Sequence, residues 1–373
     1  MWSRIIILSC IILFSTSCQA GPVPRAGNTE EPPSQSGQIV IASETAEATP
    51  FATSTPDTTA VPAPTDTPVV TVATARCFIS SEGVPVTFLP DSKRLVIKER
   101  SGVKIFNLEA MQEESFLQAP QDLAAVALSP DGELLAWSLM DNSIQLIQVA
   151  DQKLVKTIKA HDMPVLRLRF SSQGDRLFSA SYDTWVRIWD RKGQQLDAFQ
   201  PTAADDLPNE IEAIALSPDD ALLGSIPFDG PTKVWDLATK KEVANLGNTG
   251  GDVTSDIAFS PDGKYAAVIT LGRLSLWTIP DWKMVWDKAP VMAFAFSPDS
   301  HVLAYSELED KSSVIFYPLV DSLNPRTIDG GPALLYRLVF SPDGALLASA
   351  GEGTQIWDMD SGQLLYAGKA TCP

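Results

Sequence analysis

The chain has 373 residues, with 46 acidic against 28 basic side chains and a formal net charge of −18 at pH 7. This balance disfavours binding to nucleic acid, because affinity for phosphate backbones comes mainly from clusters of Lys and Arg. The same negative field repels an anionic membrane surface. The chain holds only two histidines, His161 and His301, which leaves little scope for catalysis by a Ser-His-Asp triad.

Residues 1–17 are predicted to be an export signal. Arg4 precedes an apolar run from Ile5 to Phe14, which is too short to span a bilayer, since that takes about 20 apolar residues. The small residues before Cys18 resemble a bacterial lipoprotein processing site, although Ser15 stands where that site usually has Leu. The resemblance implies cleavage before Cys18, lipidation of Cys18 and display outside the cytoplasmic membrane. Plain secretion after cleavage nearby is the alternative.

Residues 18–76 are predicted to be a disordered tether. The segment is rich in Pro, Thr, Ala and Ser, and Phe51 is its one aromatic residue. Such a composition cannot bury enough apolar surface to offset the entropy lost on ordering. A proline-stiffened coil of this length would extend on the order of 40 Å or more, which suits a segment that holds a domain clear of a surface.

Residues 77–373 are organised as seven repeats. Ser-Pro-Asp recurs five times, and degenerate copies at Leu89-Pro90-Asp91 and Ser171-Ser172-Gln173 complete a series with steps of 37 to 46 residues. Pro favours the second position of a reverse turn and Gly supplies a positive φ at the fourth, so each copy predicts a hairpin between two short apolar strands. The period predicts an all-β fold, a seven-bladed β-propeller of four-stranded antiparallel blades. The full copies begin at Ser129, Ser217, Ser260, Ser297 and Ser341.

The predicted third strand of every repeat carries a large apolar residue 15 to 18 positions after the turn. Three of these are Trp followed by Asp, at Trp189, Trp235 and Trp357. Here the chain resembles the WD-repeat family of seven-bladed propellers, over about 290 residues. Trp286-Asp287 lies too far from its turn and falls in a fourth strand. The seven positions are Phe106, Ile147, Trp189, Trp235, Trp277, Phe316 and Trp357.

The resemblance implies a structural brace in the third repeat. In the family, a line of hydrogen bonds joins a His before the first strand, a Ser in the second, an Asp in the next turn and the Trp of the third. The matching residues are His161, Ser179, Asp183 and Trp189. A buried indole N–H needs an acceptor, and a connected polar chain supplies it. His161 is therefore expected to be structural, and His301 to be a solvated loop residue.

Cys77 and Cys372 lie at the two ends of the repeat region. A propeller brings its ends together, and an exported location permits disulfides. We therefore predict a Cys77–Cys372 disulfide that clasps the ring, with two free thiols as the alternative. Residues 363–367 are expected to form the outer strand of the last blade, so the bond would replace the strand exchange that closes many WD propellers. Addition of residues 69–79 at the blade edge is also compatible.

No catalytic, cofactor or metal site is predicted. The sequence has no Gly-rich loop before a helix and no His/Cys set at metal-ligand spacing. Most Asp residues stand in the repeated turns, where they accept local hydrogen bonds. A ligand-sensing module that presents a ligand to a membrane partner is one alternative to the leading hypothesis below. Another is an extracytoplasmic enzyme or carbohydrate binder that uses the central channel. Its candidate residues are Arg167, Arg169, Asp256 and Arg337.

A protein or peptide is the expected partner. In WD propellers, the loops between second and third strands share one face with the loops that lead into the first strands, and this face commonly receives partners. In three successive repeats a large apolar residue precedes the turn Asp, at Met140, Tyr182 and Phe228, with Trp185 close by. Exposed apolar surface usually marks an interaction site; side chains folded onto neighbouring blades are the alternative. The leading hypothesis is a monomeric, non-enzymatic scaffold, attached to the membrane only through its lipid.

Overall fold

The computed structural model describes residues 84–201, 210–248, 255–308, 312–320, 324–329, 335–351 and 353–368. The predicted signal and tether lie outside these ranges, as do Cys18, Cys77 and Cys372, so the predictions about them stay predictions. Within the described ranges, 28 strands form seven four-stranded sheets, and each sheet consists of four consecutive antiparallel strands. In this part of the chain, no helix is long and apolar enough to cross a membrane.

The first three blades contain twelve strands, four in each. They are β1 (Val84–Phe88), β2 (Arg94–Glu99), β3 (Gly102–Asn107) and β4 (Gln112–Gln118); β5 (Leu123–Leu128), β6 (Leu134–Leu139), β7 (Ser143–Gln148) and β8 (Leu154–Lys159); β9 (Val165–Phe170), β10 (Arg176–Ser181), β11 (Val186–Asp190) and β12 (Gln195–Phe199).

The remaining four blades follow the same plan. They are β13 (Ile211–Leu216), β14 (Leu222–Pro227), β15 (Pro231–Asp236) and β16 (Lys241–Asn248); β17 (Asp256–Phe259), β18 (Tyr265–Thr270), β19 (Arg273–Thr278) and β20 (Met284–Lys288); β21 (Val291–Phe296), β22 (Val302–Leu308), β23 (Ser312–Pro318) and β24 (Arg326–Asp329); β25 (Arg337–Phe340), β26 (Leu346–Ala350), β27 (Thr354–Asp358) and β28 (Leu364–Ala367).

The first strand of every blade lies at the centre of the molecule. These strands contact one another in the order β1, β5, β9, β13, β17, β21, β25 and back to β1, so the ring is closed. The predicted seven-bladed propeller is therefore confirmed. The outer strand of the last blade is β28, within the expected range 363–367, and it pairs with β27 of the same blade.

The Ser-Pro-Asp turn owes its recurrence to a small network of hydrogen bonds. In the last blade, the Ser341 hydroxyl donates to Asp343 Oδ1 at 2.6 Å and accepts from the backbone N–H of Leu346 at 2.9 Å. Gly344 closes the turn by donating to the Ser341 carbonyl, with the predicted positive φ of 74°. The hydroxyl bonds recur in the other four full copies. All five serines are buried, so the motif supplies hydrogen-bond partners for the buried polar groups of the turn.

Neighbouring blades bury their apolar faces against each other, which gives the ring its core. At the junction of the first and last blades, Phe88 and Leu95 share one cluster with Ala348 and Ile356. The ring centroids of Phe106 in β3 and Tyr366 in β28 lie 5.2 Å apart across the same junction. A single sheet with two apolar faces is stable only when both are covered, so the joined ends complete the fold.

Candidate functional site

The predicted brace residues of the third blade lie in one hydrogen-bonded chain. The indole N–H of Trp189 donates to Ser179 Oγ at 2.9 Å, and Ser179 Oγ lies 2.7 Å from His161 Nε2. His161 Nδ1 lies 2.8 Å from Asp183 Oδ2. The consistent assignment has Ser179 donating to Nε2 while Nδ1–H donates to the carboxylate. Arg187 also donates to Asp183 Oδ2, at 2.7 Å.

The electrostatics of this chain keep the imidazole neutral and the carboxylate charged. Burial lowers the pKa of His161 below its ordinary value, and the nearby Asp183 charge offsets this only in part. Burial works to raise the pKa of Asp183, but hydrogen bonds from His161 and Arg187 lower it strongly. With both ring nitrogens engaged, His161 has no lone pair or proton to offer a substrate, which fits a structural role.

Other blades keep only part of this arrangement. In the fourth blade, Trp235 Nε1 donates to Ser225 Oγ at 2.9 Å, on the pattern of Trp189 and Ser179. In the fifth, Trp277 Nε1 donates at 2.9 Å to Ser275, which lies on the third strand instead of the second. The indole N–H has an acceptor in each case, so the hydrogen bond to the Trp is kept in blades that lack the complete brace.

One face of the ring, here called the loop face, holds the loops that lead into the first strands and the loops between second and third strands. Backbone hydrogen bonds join the two kinds of loop, from Tyr182 to the Pro164 carbonyl at 3.1 Å and from Phe228 to the Glu210 carbonyl at 2.8 Å. The loop face also links blades, because Asn142 Nδ2 donates to the Asp162 carbonyl at 3.1 Å. The opposite face holds the Ser-Pro-Asp turns and is called the turn face.

Exposed large apolar side chains are distributed unevenly over the described surface. Eight lie on outer strands, and none lies in a Ser-Pro-Asp turn. Six belong to the loop face: Met140, Met163, Trp185, Phe228, Leu271 and Tyr336.

Three of the four predicted partner residues are in this set. Met140 is 59% exposed and Phe228 38%, and Trp185 is also exposed, whereas Tyr182 is half-buried. The pKa of the Tyr182 phenol is raised by burial and by the negative charges of Glu212 and Glu210.

Sequence reasoning missed Met163, Leu271 and Tyr336. Leu271, at 62% exposure, occupies the position where the third blade has Asp183, so the loss of that Asp was the available signal. Met163 and Tyr336 stand just before innermost strands, and no pattern distinguishes them from core residues.

A cavity of about 280 Å³ lies at the centre of the ring. First strands of six blades contribute to its wall, and Lys98 and Ile269 reach it from second strands. The four predicted channel residues, Arg167, Arg169, Asp256 and Arg337, all line it. They come from β9, β17 and β25.

The charges of this cavity are only partly paired. Arg337 Nη1 donates to Asp256 Oδ2 at 3.1 Å, and Arg169 Nη2 lies 3.9 Å from Asp256 Oδ1. Burial and the positive charges of Arg337 and Arg167 lower the pKa of Arg169 to about 10, although Asp256 opposes them. Burial lowers the pKa of Arg167 as well. An added negative charge would offset these effects on Arg167 and Arg169.

No group of three His, Cys, Asp or Glu residues able to hold a metal ion occurs among the described residues. His301 lies 3.0 Å from Asp299 on the surface of the turn face, with its side chain 54% exposed.

Comparison with known proteins agrees with this architecture. Residues 152–190, which end with β11 of the third blade, match the family described as WD domain, G-beta repeat. The chain is 24% identical over 257 residues to Apoptotic protease-activating factor 1 of Rattus norvegicus, covering 65% of the chain and 20% of that protein.

Two further relatives match shorter regions. COMPASS component SWD3 of Saccharomyces cerevisiae is 24% identical over 198 residues, which cover 50% of the chain and 62% of that protein. WD repeat-containing protein 55 homolog of Drosophila ananassae is 26% identical over 167 residues, 44% of the chain and 34% of that protein. The chain thus spans less than two thirds of each of these relatives. Together with the brace and the seven blades, these matches support a propeller of the WD-repeat type.

Proposed function

We propose that this protein is a non-enzymatic scaffold that binds a protein or peptide partner through its loop face. The observation that carries the proposal is the set of six exposed large apolar side chains on that face, against none in the Ser-Pro-Asp turns of the other. Burial of apolar surface contributes roughly 25 cal/mol per Å², so exposed Trp, Phe and Met side chains are effective anchors for a partner.

The arrangement of these residues favours an extended contact over a single pocket. They come from the second, third, fourth, fifth and seventh blades, and Met140, Trp185 and Phe228 lie on three successive blades. Among the described residues, backbone hydrogen bonds join Tyr182 to Pro164 and Phe228 to Glu210, so the surface is preformed at these points. A preformed surface loses less conformational entropy on binding than a flexible one.

The relatives support a binding role for the propeller. WD-repeat propellers are typically protein-interaction scaffolds, and the name of the yeast relative, COMPASS component SWD3, describes a part of a larger assembly. The rigid four-residue brace offers no free imidazole for catalysis, which favours binding over chemistry at the loop face.

We further propose that the scaffold is monomeric and is displayed on the extracytoplasmic face of a bacterial membrane. Support comes from residues 1–17, from the small residues before Cys18, and from the Pro/Thr/Ser/Ala-rich segment 18–76. Metabolic labelling with a radioactive fatty acid tests the anchor directly. The wild-type protein is expected to incorporate the label and Cys18→Ser to lose it; labelling that survives Cys18→Ser would contradict the anchor.

The scaffold function is tested by capture from intact cells of the native host. The full chain is compared with a loop-face variant, Met140→Ser with Phe228→Ser, and with a matched outer-strand variant, Leu196→Ser with Leu364→Ser. The expected result is that the loop-face variant loses a protein which the wild type and the outer-strand variant both retain. Equal capture by both variants would contradict the assignment of the face, and melting curves of all three proteins exclude misfolding as the cause.

A further inference from the structure

The third blade concentrates five arginines, and the structure divides them into two groups. Three lie within ion-pair distance of a carboxylate. These pairs are Arg176 with Asp220, Arg187 with Asp183, and Arg191 with Asp131. The other two, Arg167 and Arg169, line the central cavity. Together they make fewer contacts with carboxylates than the first three.

We propose that the central cavity is a binding site for a small oxyanion, a carboxylate or phosphate group, held by Arg167, Arg169 and Arg337. Arg167 and Arg169 are two positions apart on β9, so their side chains leave the same face of the strand. Arg337 is the first residue of β25. The site lies inside the ring, and the proposal does not depend on a partner that binds the loop face.

The hydrogen-bond inventory shows unused donor capacity. Each guanidinium has five N–H donors. Among the described residues, Arg167 donates to the carbonyl of Leu166 at 3.0 Å, and no carboxylate lies within ion-pair distance of it. Arg169 donates to the carbonyl of Leu168 at 3.1 Å and has only the 3.9 Å approach to Asp256. Both side chains line the cavity.

The charge of the cavity is opposite to that of the protein. Four basic side chains and one acidic side chain line it, whereas the whole chain carries −18. Glu212 acts on Arg167 from farther away and raises its pKa, but burial and Arg337 lower it more. A positive cavity with low-dielectric walls focuses its field on an entering anion.

Size and geometry define the class of ligand. The volume of about 280 Å³ is at or below the usual range of roughly 300 to 1,000 Å³ for drug-sized ligands, so a small group fits best. Planar guanidinium groups match carboxylate and phosphate oxygens in bidentate geometry. Asp256 accepts a hydrogen bond from Arg337 Nη1 at 3.1 Å, so a bound anion would be the second oxyanion beside Arg337.

The test uses the full-length protein and isothermal titration with sodium phosphate and sodium succinate, with chloride adjusted to keep ionic strength constant. Saturable binding is expected in the wild type, with at least tenfold weaker affinity in Arg169→Gln and in Arg167→Gln. Asp256→Asn is expected to bind more tightly, because it removes the competing carboxylate. Arg273→Gln is the matched control, since it makes the same charge change at an exposed side chain outside the cavity wall.

A second arm distinguishes a free anion from a carboxylate carried by a peptide. Acetyl-Ala-Glu-amide is compared with acetyl-Ala-Gln-amide in the same titration. Saturation by phosphate or succinate supports a free small anion, and saturation by the Glu peptide alone supports a peptide carboxylate. The proposal is overturned if none of the three anions saturates the wild type, or if the double variant Arg167→Gln with Arg169→Gln binds as well as the wild type. Melting curves establish that each variant is folded.

Discussion

The backbone N–H of Asp343 donates a hydrogen bond of 3.2 Å to Ser92 Oγ, across the junction where the last blade meets the first. Ser92 is the fourth residue of its turn, where four other repeats have Gly, and its φ is 56°. The same relationship occurs between Ser300 and Asp262, at 2.9 Å. In these two repeats, which lack Gly at this position, the Ser side chain accepts a hydrogen bond from the turn of the preceding blade. The junction between the last and first blades therefore has the same contact as a junction inside the ring.

This equivalence predicts the effect of removing the hydroxyl. Ser92→Ala and Ser300→Ala are each expected to lower the free energy of unfolding by about 1 kcal/mol, since each loses one hydrogen bond of the same kind. Urea denaturation measures both. A neutral Ser92→Ala beside a destabilising Ser300→Ala would mean that the first and last blades are not joined in solution as they are in the structure.

The fourth turn residue also predicts a graded effect at glycine. Gly132 has a φ of 73°, and a Cβ there would lie 2.8 Å from Pro90 Cδ of the preceding blade. Gly263 has a φ of 71°, but the nearest atom, Pro218 Cγ, is 3.5 Å away. Both Gly→Ala variants should lose about 1 kcal/mol from the left-handed backbone, and Gly132→Ala should lose more because of the clash. Equal melting temperatures would contradict the tighter packing at Gly132.

The brace makes stability depend on pH in a predictable direction. The folded state lowers the pKa of His161 below its ordinary value of 6.5, so the unfolded state binds a proton more readily. Stability is therefore fully present above pH 6.5 and is lost as the pH falls below it, by up to about 1.4 kcal/mol per pH unit. His161→Gln is expected to be less stable at pH 7.5 but flatter between pH 7.5 and 5.5.

The only other histidine provides the control for this measurement. His301 is exposed on the turn face, and His301→Gln makes the same substitution outside the brace. If His301→Gln flattens the slope and His161→Gln does not, the neutral buried imidazole is the wrong explanation.

The proposed Cys77–Cys372 disulfide predicts a change in mass and in stability. Intact mass spectrometry should show a gain of two hydrogens on reduction of the mature protein. Reduction should also lower the free energy of unfolding by about 2 to 5 kcal/mol, the usual range for a native bridge. Cys77→Ser should match the reduced wild type in stability. An unchanged mass after reduction would rule the bridge out.

The fold could be predicted from the sequence because its determinants are local. Ser341, Asp343 and Gly344 make their turn with each other, so their spacing alone indicates a hairpin and its repetition indicates a ring. The brace could be predicted for the same reason, because all its residues belong to one repeat. They are His161, Ser179, Asp183 and Trp189.

The candidate sites were harder to predict from the sequence, because their residues come from blades that are far apart in the chain. Arg169 was a channel candidate from strand alternation, but only the closed ring shows that it shares Asp256 with Arg337. The ring also shows that, among the described residues, no carboxylate lies within ion-pair distance of Arg167. The loop face poses the same difficulty. Met163 and Tyr336 precede first strands as core residues could, but both are exposed in the structure.

The scaffold function is tested most directly by site-specific photocross-linking in the living host. A photoreactive phenylalanine analogue is placed at Phe228 on the loop face and, in a parallel strain, at Leu196 on the outer strand β12; both side chains are exposed in the wild type. We expect a discrete cross-linked protein with the analogue at Phe228 and none of it with the analogue at Leu196. The same adduct from both positions, or an adduct from Leu196 alone, would contradict partner binding through the loop face.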